Sequence, residues 1–361
     1  MQLRKLSSGL KAAYRGSDVR HRVKGFDGWV ERAEEGNSGP TGYDHADTVK
    51  EYYDLCTEFM EFGWGDSLHF APLSSGESLE DAKVRHQRLM IDRLELSKGM
   101  RVIDVGCGVG GPMRRVVRES GASVLGINSN GIQLEKAKLL DEAAGIGHMV
   151  DYLECSFMDM GAIPDNTFDR GYAIESTCHA PDKAGAFAEI YRVLKPGALF
   201  WGQEMCLTEK FDPGDRRHHD IKRDLMRGIA LKDIATTHQV NQALETVGFQ
   251  LIEGQDLAVL DSELATPWYQ PMATGRGTRG NALYRTPLGR KLLQGTIRLS
   301  EMLGMFPKGC AEVVALLDNT ADAYVAGGRA GIFTPLYCFL ARKPGNAAFE
   351  KDSVSVPGQV V

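Results

Sequence analysis

Asp104 and the glycines Gly106, Gly108, Gly110 and Gly111 close an apolar run, Arg101-Val-Ile-Asp-Val105, and precede a segment with helical apolar spacing at Met113, Val116 and Val117. Glycines there permit a tight turn and close approach of backbone to a ligand. A carboxylate two residues ahead of the first glycine can face a cationic or hydroxyl-bearing ligand, which suits the sulfonium and ammonium of S-adenosylmethionine. Gly106, Gly108 and Gly111 also fit a dinucleotide fingerprint. A nicotinamide cofactor, however, asks for Asp or Glu at the end of the next strand, about 20 residues on, to hold the ribose 2′-hydroxyl. In Ser123-Val-Leu-Gly-Ile-Asn128 that position is a neutral amide, which still donates to and accepts from ribose hydroxyls. The methyl donor is the expected ligand and the dinucleotide the alternative.

Two further clusters carry chemistry. The run Glu58 to Phe70 holds Glu61, Phe62, Gly63, Trp64, Gly65 and His69 among four aromatics and three carboxylates, which reads as a lid with a π-rich wall. Tyr172-Ala-Ile-Glu175-Ser-Thr-Cys178-His179-Ala-Pro181 follows the fourth strand, at the carboxyl edge where open sheets place ligands. Cys178 lacks an orienting third partner for a nucleophilic role. His218 and His219 are adjacent rather than four apart, so no metal site is expected.

Strand and helix signals alternate through the elements that must position these groups: strands at 101–105, 123–128, 150–154 and 168–174, helices at 112–120, 130–144 and 182–194. Such alternation predicts an α/β fold, a parallel sheet wrapped by helices. Residues 1–43 read as a basic, partly disordered arm with a turn-rich end, 44–99 as a helical and aromatic lid, and 100–258 as the donor-binding core. Residues 259–330 read as a helical insertion, with Leu288, Leu292, Leu299 and Leu303 as an apolar stripe that caps a cavity. Gly331 to Arg342 returns to strand character as the last strand of the same sheet, in 331–343, and 344–361 is a polar tail.

Among 361 residues, 43% are hydrophobic, enough to fill a core, and the net charge of −6 without a basic aromatic cluster argues against a nucleic-acid partner. Seven scattered cysteines with no Cys-x-x-Cys pair, and no signal-like leader, read as reduced thiols in a cytoplasmic protein. No transmembrane span is expected, and peripheral contact with a membrane surface is the alternative for the basic N-terminal segment.

Phe62-Gly-Trp-Gly65 with His69-Phe70, Asp104 to Pro112, Tyr172 to Pro181, Tyr191-Arg-Val-Leu-Lys-Pro-Gly197 and Ile332-Phe-Thr-Pro335 together resemble the sterol 24-C-methyltransferase family over about residues 50 to 343. The Gly-Trp-Gly and Thr-Cys-His-Ala-Pro blocks are the specific part of this likeness. The resemblance implies a Rossmann-like class I methyltransferase sheet with a helical N-terminal lid and a C-terminal helical insertion. It implies S-adenosyl-L-methionine as cofactor, a sterol with a free 3-hydroxyl as substrate, methylation of its side-chain alkene at C24 through a carbocation, and a homo-oligomer. The donor-site candidates are Asp104, Gly106, Gly108, Gly110, Asn128, Gln133, Ser156 and Phe157; the sterol-site candidates are Phe62, Phe70, Glu204 and Trp268. Trp64 joins Phe62 and Phe70 as a face for the cation, while Glu61, His69, Glu175 and His179 contend for the final base. The chain departs from the family pattern at Met60-Glu-Phe62, where two phenols are missing, at Ser156 in place of Asp, and at Gln203-Glu-Met205 in place of Tyr-Glu-Trp. These changes touch the pocket, so another isoprenoid lipid such as a linear triterpene stands as the alternative substrate.

Overall fold

The computed structural model describes residues 2–34, 45–259, 265–274 and 285–345; the turn-rich boundary at 36–43 and the tail beyond 345 lie outside them. Helices α1 (Gln2–Ala13) and α2 (Val19–Glu34) begin the chain. They differ from the loosely ordered basic arm the composition suggests. Leu6, Leu10 and Tyr14 recur every fourth residue, and with Val19, Val23 and Phe26 they are buried against α3 (His45–Trp64). One apolar stripe is enough to dock a helix such as α1, whose Arg4, Lys5 and Lys11 are exposed. Tyr14 Oη donates to the Leu55 carbonyl and fixes this packing.

After the short β1 (Leu73–Ser74), Ser78 caps α4 (Leu79–Arg93) by accepting from the Asp81 amide. The buried strand β2 (Arg101–Val105) then runs through the glycine turn into α5 (Gly111–Ser120). Pro112 in the first turn fits where no amide partner is needed, and Gly121, with φ 71°, ends the helix. Alternation continues through β3 (Ser123–Asn128), α6 (Gly131–Ala143), β4 (Val150–Glu154), β5 (Phe168–Ile174), α7 (Lys183–Val193) and β6 (Leu194–Leu207). Next come α8 (Arg216–Ile229), α9 (Thr237–Thr246), β7 (Gln250–Asp256), β8 (Ala265–Thr266) and the single turn α10 (Gln270–Ala273). Two long helices, α11 (Pro287–Met302) and α12 (Cys310–Ala330), precede the last strand β9 (Phe333–Arg342).

Seven of the described strands form one sheet in the order β4-β3-β2-β5-β6-β9-β7, with β9 antiparallel to both neighbours, while β1 and β8 pair antiparallel with each other. Parallel β2 lies between β3 and β5, so the strand order reverses there. Open α/β sheets bind ligands at that point, outside the carboxyl ends of the strands. Helices α1, α2, α3, α11 and α12 pack together in a separate apolar cluster above that edge.

Helix α11 departs from the expected stripe. Its inner face is Ile297, Ser300 and Glu301, whereas Leu288, Leu292, Leu299 and Leu303 all point to solvent. The helix is apolar on two sides, and periodicity could not say which side the neighbours would cover.

Candidate active site

The glycine turn is built by crowding on one side and space on the other. Gly106 has φ 84°, and a Cβ there would lie 2.3 Å from Ser176 Cβ. Gly106 and Cys107 both donate to the Ile127 carbonyl, at 2.9 and 3.0 Å, pinning the turn to the end of β3, and Ser176 Oγ donates to Val105 O. Gly108, at φ 56°, would meet nothing within 4 Å. Gly106 and Gly108 line a cavity of about 320 Å³ with Asn128, Gln133, Ser156, Phe157, Glu175 and His179.

This cavity fits the methyl donor by the chemistry of its wall. Asn128 and the neighbouring amides offer neutral partners for ribose hydroxyls, and Ile127, Cys155, Phe157 and Met158 give an apolar seat for a base. Asn128 Nδ2 donates to Gln133 Oε1 at 2.8 Å, and Gln133 Nε2 donates to Thr57 Oγ1 at 2.9 Å. Asn130 Nδ2 likewise donates to Asp54 Oδ1 at 2.8 Å. Helix α3 is thereby fastened over the cavity by the start of α6. Among the donor-site candidates, Asp104 and Gly110 lie elsewhere. Asp104 is buried beneath the turn, does not line the cavity, and burial pushes its carboxyl up to about 7. Gly110 is the N-cap of α5, where a Cβ would press on Arg114 and Tyr152 at 3.1 Å.

A second cavity, of about 210 Å³, is apolar and aromatic, walled by Tyr52, Tyr53, Phe59, Phe62, Trp64, Phe70, Met205 and Tyr324. Tyr53, Leu68 and Glu175 border both cavities. Phenols reach this wall from Tyr52 and Tyr53 of α3 and Tyr324 of α12. Trp64 is clamped: its Nε1 donates to His69 O at 3.1 Å and the Arg285 guanidinium covers one indole face at 5.2 Å. Lys83 Nζ donates to the carbonyls of Trp64 and Ser67 and so holds the Gly-Trp-Gly turn. Trp268 does not line the cavity; it stands behind Phe70, ring edge to face at 5.2 Å.

The four contenders for the base have different surroundings. Glu61 faces away from both cavities and pairs with Lys136 of α6. His69 is fully engaged: Nδ1–H donates to Phe70 O at 2.7 Å, Nε2 accepts from Gln87 at 2.9 Å, and burial lowers its pKa to about 3. His179 lines the cavity beside the glycine turn, with Nε2 3.0 Å from Tyr53 Oη. Glu175 stands at the junction. Its Oε1 accepts from the Phe70 amide at 2.6 Å and from Gln203 Nε2 at 2.7 Å, and burial pushes its carboxyl well above the usual range. The residue also holds φ 52°, a left-handed backbone that is uncommon for a side chain beyond glycine.

Gln203 is the hub of this arrangement and no sequence motif pointed to it, although its departure from the family pattern was visible. Its Nε2 also reaches Pro335 O at 3.0 Å, and its Oε1 accepts from His86 Nε2 at 2.7 Å. The Thr-Pro block of β9 thus helps to hold Glu175. Glu204, expected against substrate, is instead wholly buried in an ion pair with Lys183 at 3.0 Å and accepts from Thr177 Oγ1. It secures the Thr177–His179 turn rather than a ligand.

The sheet order, a glycine turn at its switch point and paired polar and apolar cavities define a small-molecule methyltransferase. Residues 103–202 match the methyltransferase domain family, and residues 281–345 match the sterol methyltransferase C-terminal family. The chain is similar to cycloartenol-C-24-methyltransferase 1 of Oryza sativa subsp. japonica, at 40% identity over 94% of this chain and 97% of that protein. It is similar also to sterol 24-C-methyltransferase of Saccharomyces cerevisiae, at 38% identity over 84% of this chain and 80% of that protein. A solved mycolic acid cyclopropane synthase complexed with SAH and CTAB shares the fold, with a TM-score of 0.63, 17% identity, and 84% of this chain and 99% of that one covered. The chain belongs to the sterol methyltransferase family, and it is an enzyme that uses S-adenosylmethionine.

Proposed function

We propose that this chain methylates C24 of the Δ24 side-chain alkene of a sterol, in sterol biosynthesis, through a side-chain carbocation. The observation that carries this reading is the aromatic cavity that meets the donor cavity at Tyr53, Leu68 and Glu175. The names of the relatives in Oryza sativa and Saccharomyces cerevisiae point to the same bond.

The bound donor supplies an electrophilic methyl group on a positive sulfonium. An alkene has no proton to remove first, so the protein contributes alignment and exclusion of water. The alkene electron pair forms the C24–methyl bond as the methyl–sulfur bond of the donor breaks, its electron pair staying on sulfur in the neutral thioether that leaves, and a cation remains on the side chain. Tyr53, Phe62, Phe70, Tyr324 and the free side of Trp64 surround it with π-faces, each contributing on the order of 0.5 to 2 kcal/mol in a dry site. After a hydride shift, the cation loses a proton and an alkene is restored. Glu175 is the base in this reading. It is the carboxylate at the junction, and a nearby positive charge restores the ionised form that burial disfavours. Asp318, held by Arg290, is a carboxylate in the wall of the same cavity that can accept from a ring hydroxyl.

The test is incubation of the purified chain with methyl-labelled donor and three acceptors: a Δ24 sterol, its 24,25-dihydro counterpart and a linear triterpene. Label is expected on the first alone. Transfer to the triterpene in preference to the sterol would overturn the substrate assignment.

A further inference from the structure

The outer face of α11 and the residues just after it gather most of the large exposed apolar side chains among the described residues. Leu288, Leu292, Leu299 and Met302, the last 83% exposed, fall within about 40° of one line along the helix at 100° per residue. Leu303 and Met305 extend the stripe past the helix end. Soluble surfaces rarely gather such residues without a partner.

The charges around the stripe indicate which partner. The exposed charged residues between Pro287 and Lys308 are Lys291, Arg298 and Lys308, all cations; Glu301 is buried and accepts from the Ala311 amide at 2.7 Å. Ser7 Oγ donates to Met305 O at 2.7 Å, so α1 lies alongside. Arg4 and Lys11 share the Ser7 face of α1, both are exposed, and α1 contains no acid. A chain of net charge −6 therefore presents an apolar ridge with a cationic border. A second copy of the same face would set cations against cations, with no exposed acid to pair them among the described residues of α1 and of Pro287 to Lys308. Anionic lipid headgroups complement the border, and acyl chains complement the ridge.

We infer that α11 is a membrane-docking face, lying in the interface of an anionic bilayer with Leu288, Leu292, Leu299 and Met302 in the acyl boundary. Leu293 and Arg290, on the opposite side of the same helix, line the aromatic cavity. Docking thus sets that cavity one helix away from a reservoir of apolar substrate.

Flotation with vesicles of phosphatidylcholine alone, and of phosphatidylcholine with phosphatidylserine, tests the inference on the full chain. The parent should float with the anionic vesicles and less with the neutral ones. The triple variant Leu292→Gln, Leu299→Gln, Met302→Gln should lower the vesicle-bound fraction by about tenfold, and Lys291→Glu with Arg298→Glu should remove the preference for phosphatidylserine. If the triple variant proves unfolded by circular dichroism, Met302→Trp decides instead, through quenching by brominated lipid. A parent that does not float overturns the inference. So does a triple variant that floats like the parent, a Met302→Trp signal that brominated lipid leaves untouched, or a parent dimer in sedimentation that the triple variant dissolves. Docking without any sterol methylation would refute the substrate reading and leave the docking face standing.

Discussion

Replacing Glu175 by Gln separates proton acceptance from everything else that this residue does. The Gln Oε1 can still accept from the Phe70 amide and Gln203 Nε2, the two bonds that now stand at 2.6 and 2.7 Å, so the junction should keep its shape. What disappears is a carboxylate able to take the final proton, a contribution of about 100- to 10,000-fold in rate. Single-turnover formation of the 24-methylated alkene product from a Δ24 sterol should fall in that range while calorimetric donor affinity changes far less. The pH dependence gives a second reading. Burial raises the Glu175 carboxyl, so kcat/KM of the parent should climb with pH as that group ionises, and Glu175→Gln should lack the rising limb. Because a bound cation favours the ionised form, the limb in kcat should lie at lower pH than the limb in kcat/KM. Stability should move the opposite way. A carboxyl whose folded pKa is raised keeps a proton that the unfolded chain has lost, so it costs stability as pH rises past the ordinary Glu value of about 4.3. Glu175→Gln should therefore gain on the parent in urea denaturation at pH 8 relative to pH 4. A variant within threefold of parental turnover, or one that keeps the rising limb, would refute the assignment of Glu175 as base.

Four other outcomes follow from named contacts. Gly106→Ala should destabilise the fold by roughly 1 to 3 kcal/mol from its backbone alone and more from pushing Ser176 aside, whereas Gly108→Ala should cost about 1 kcal/mol and instead weaken donor binding; thermal melts and calorimetry showing the reverse order would contradict the geometry of the turn. Asp104→Asn should stabilise the chain by an amount that grows from pH 4 to pH 7 and then levels, on the order of a few kcal/mol, because the buried carboxyl of the parent titrates near 7; a pH-independent difference would mean that Asp104 is not held protonated. Gln203→Leu should cut kcat more than donor affinity and move the pH limb assigned to Glu175, since it removes one of the two donors to that carboxylate, and an unmoved limb would make Gln203 a packing residue only. Trp64→Leu should reduce turnover more than sterol affinity while Trp64→Phe retains most of it, because Phe keeps a π-face; equal loss of binding and turnover in Trp64→Leu would make the indole only a wall.

The amino-acid sequence determined the parts of this protein that depend on short-range pattern. A strand, a glycine turn and a helix start follow from residues 101 to 120 because turn and cap geometry are local, and Asn128 at the end of the next strand separated the two candidate cofactor classes for the same reason. The aromatic residues Phe62, Trp64 and Phe70 were legible as a wall by their density alone. Partnership was not legible. Glu61, Glu175 and Glu204 are one residue type on three apolar-flanked segments, yet two are spent on Lys136 and Lys183 and only Glu175 reaches the junction. The sheet decides this, since β5 and β6 bring Gln203 beside Glu175 while the chain after α3 brings the Phe70 amide. Periodicity likewise gave α11 an apolar stripe but not what covers it, and composition read α1 as a basic arm: α1 buries a stripe on α3, and α11 keeps one bare. A stripe is a property of one helix, whereas burial belongs to a pair, and only the tertiary structure supplies the second member.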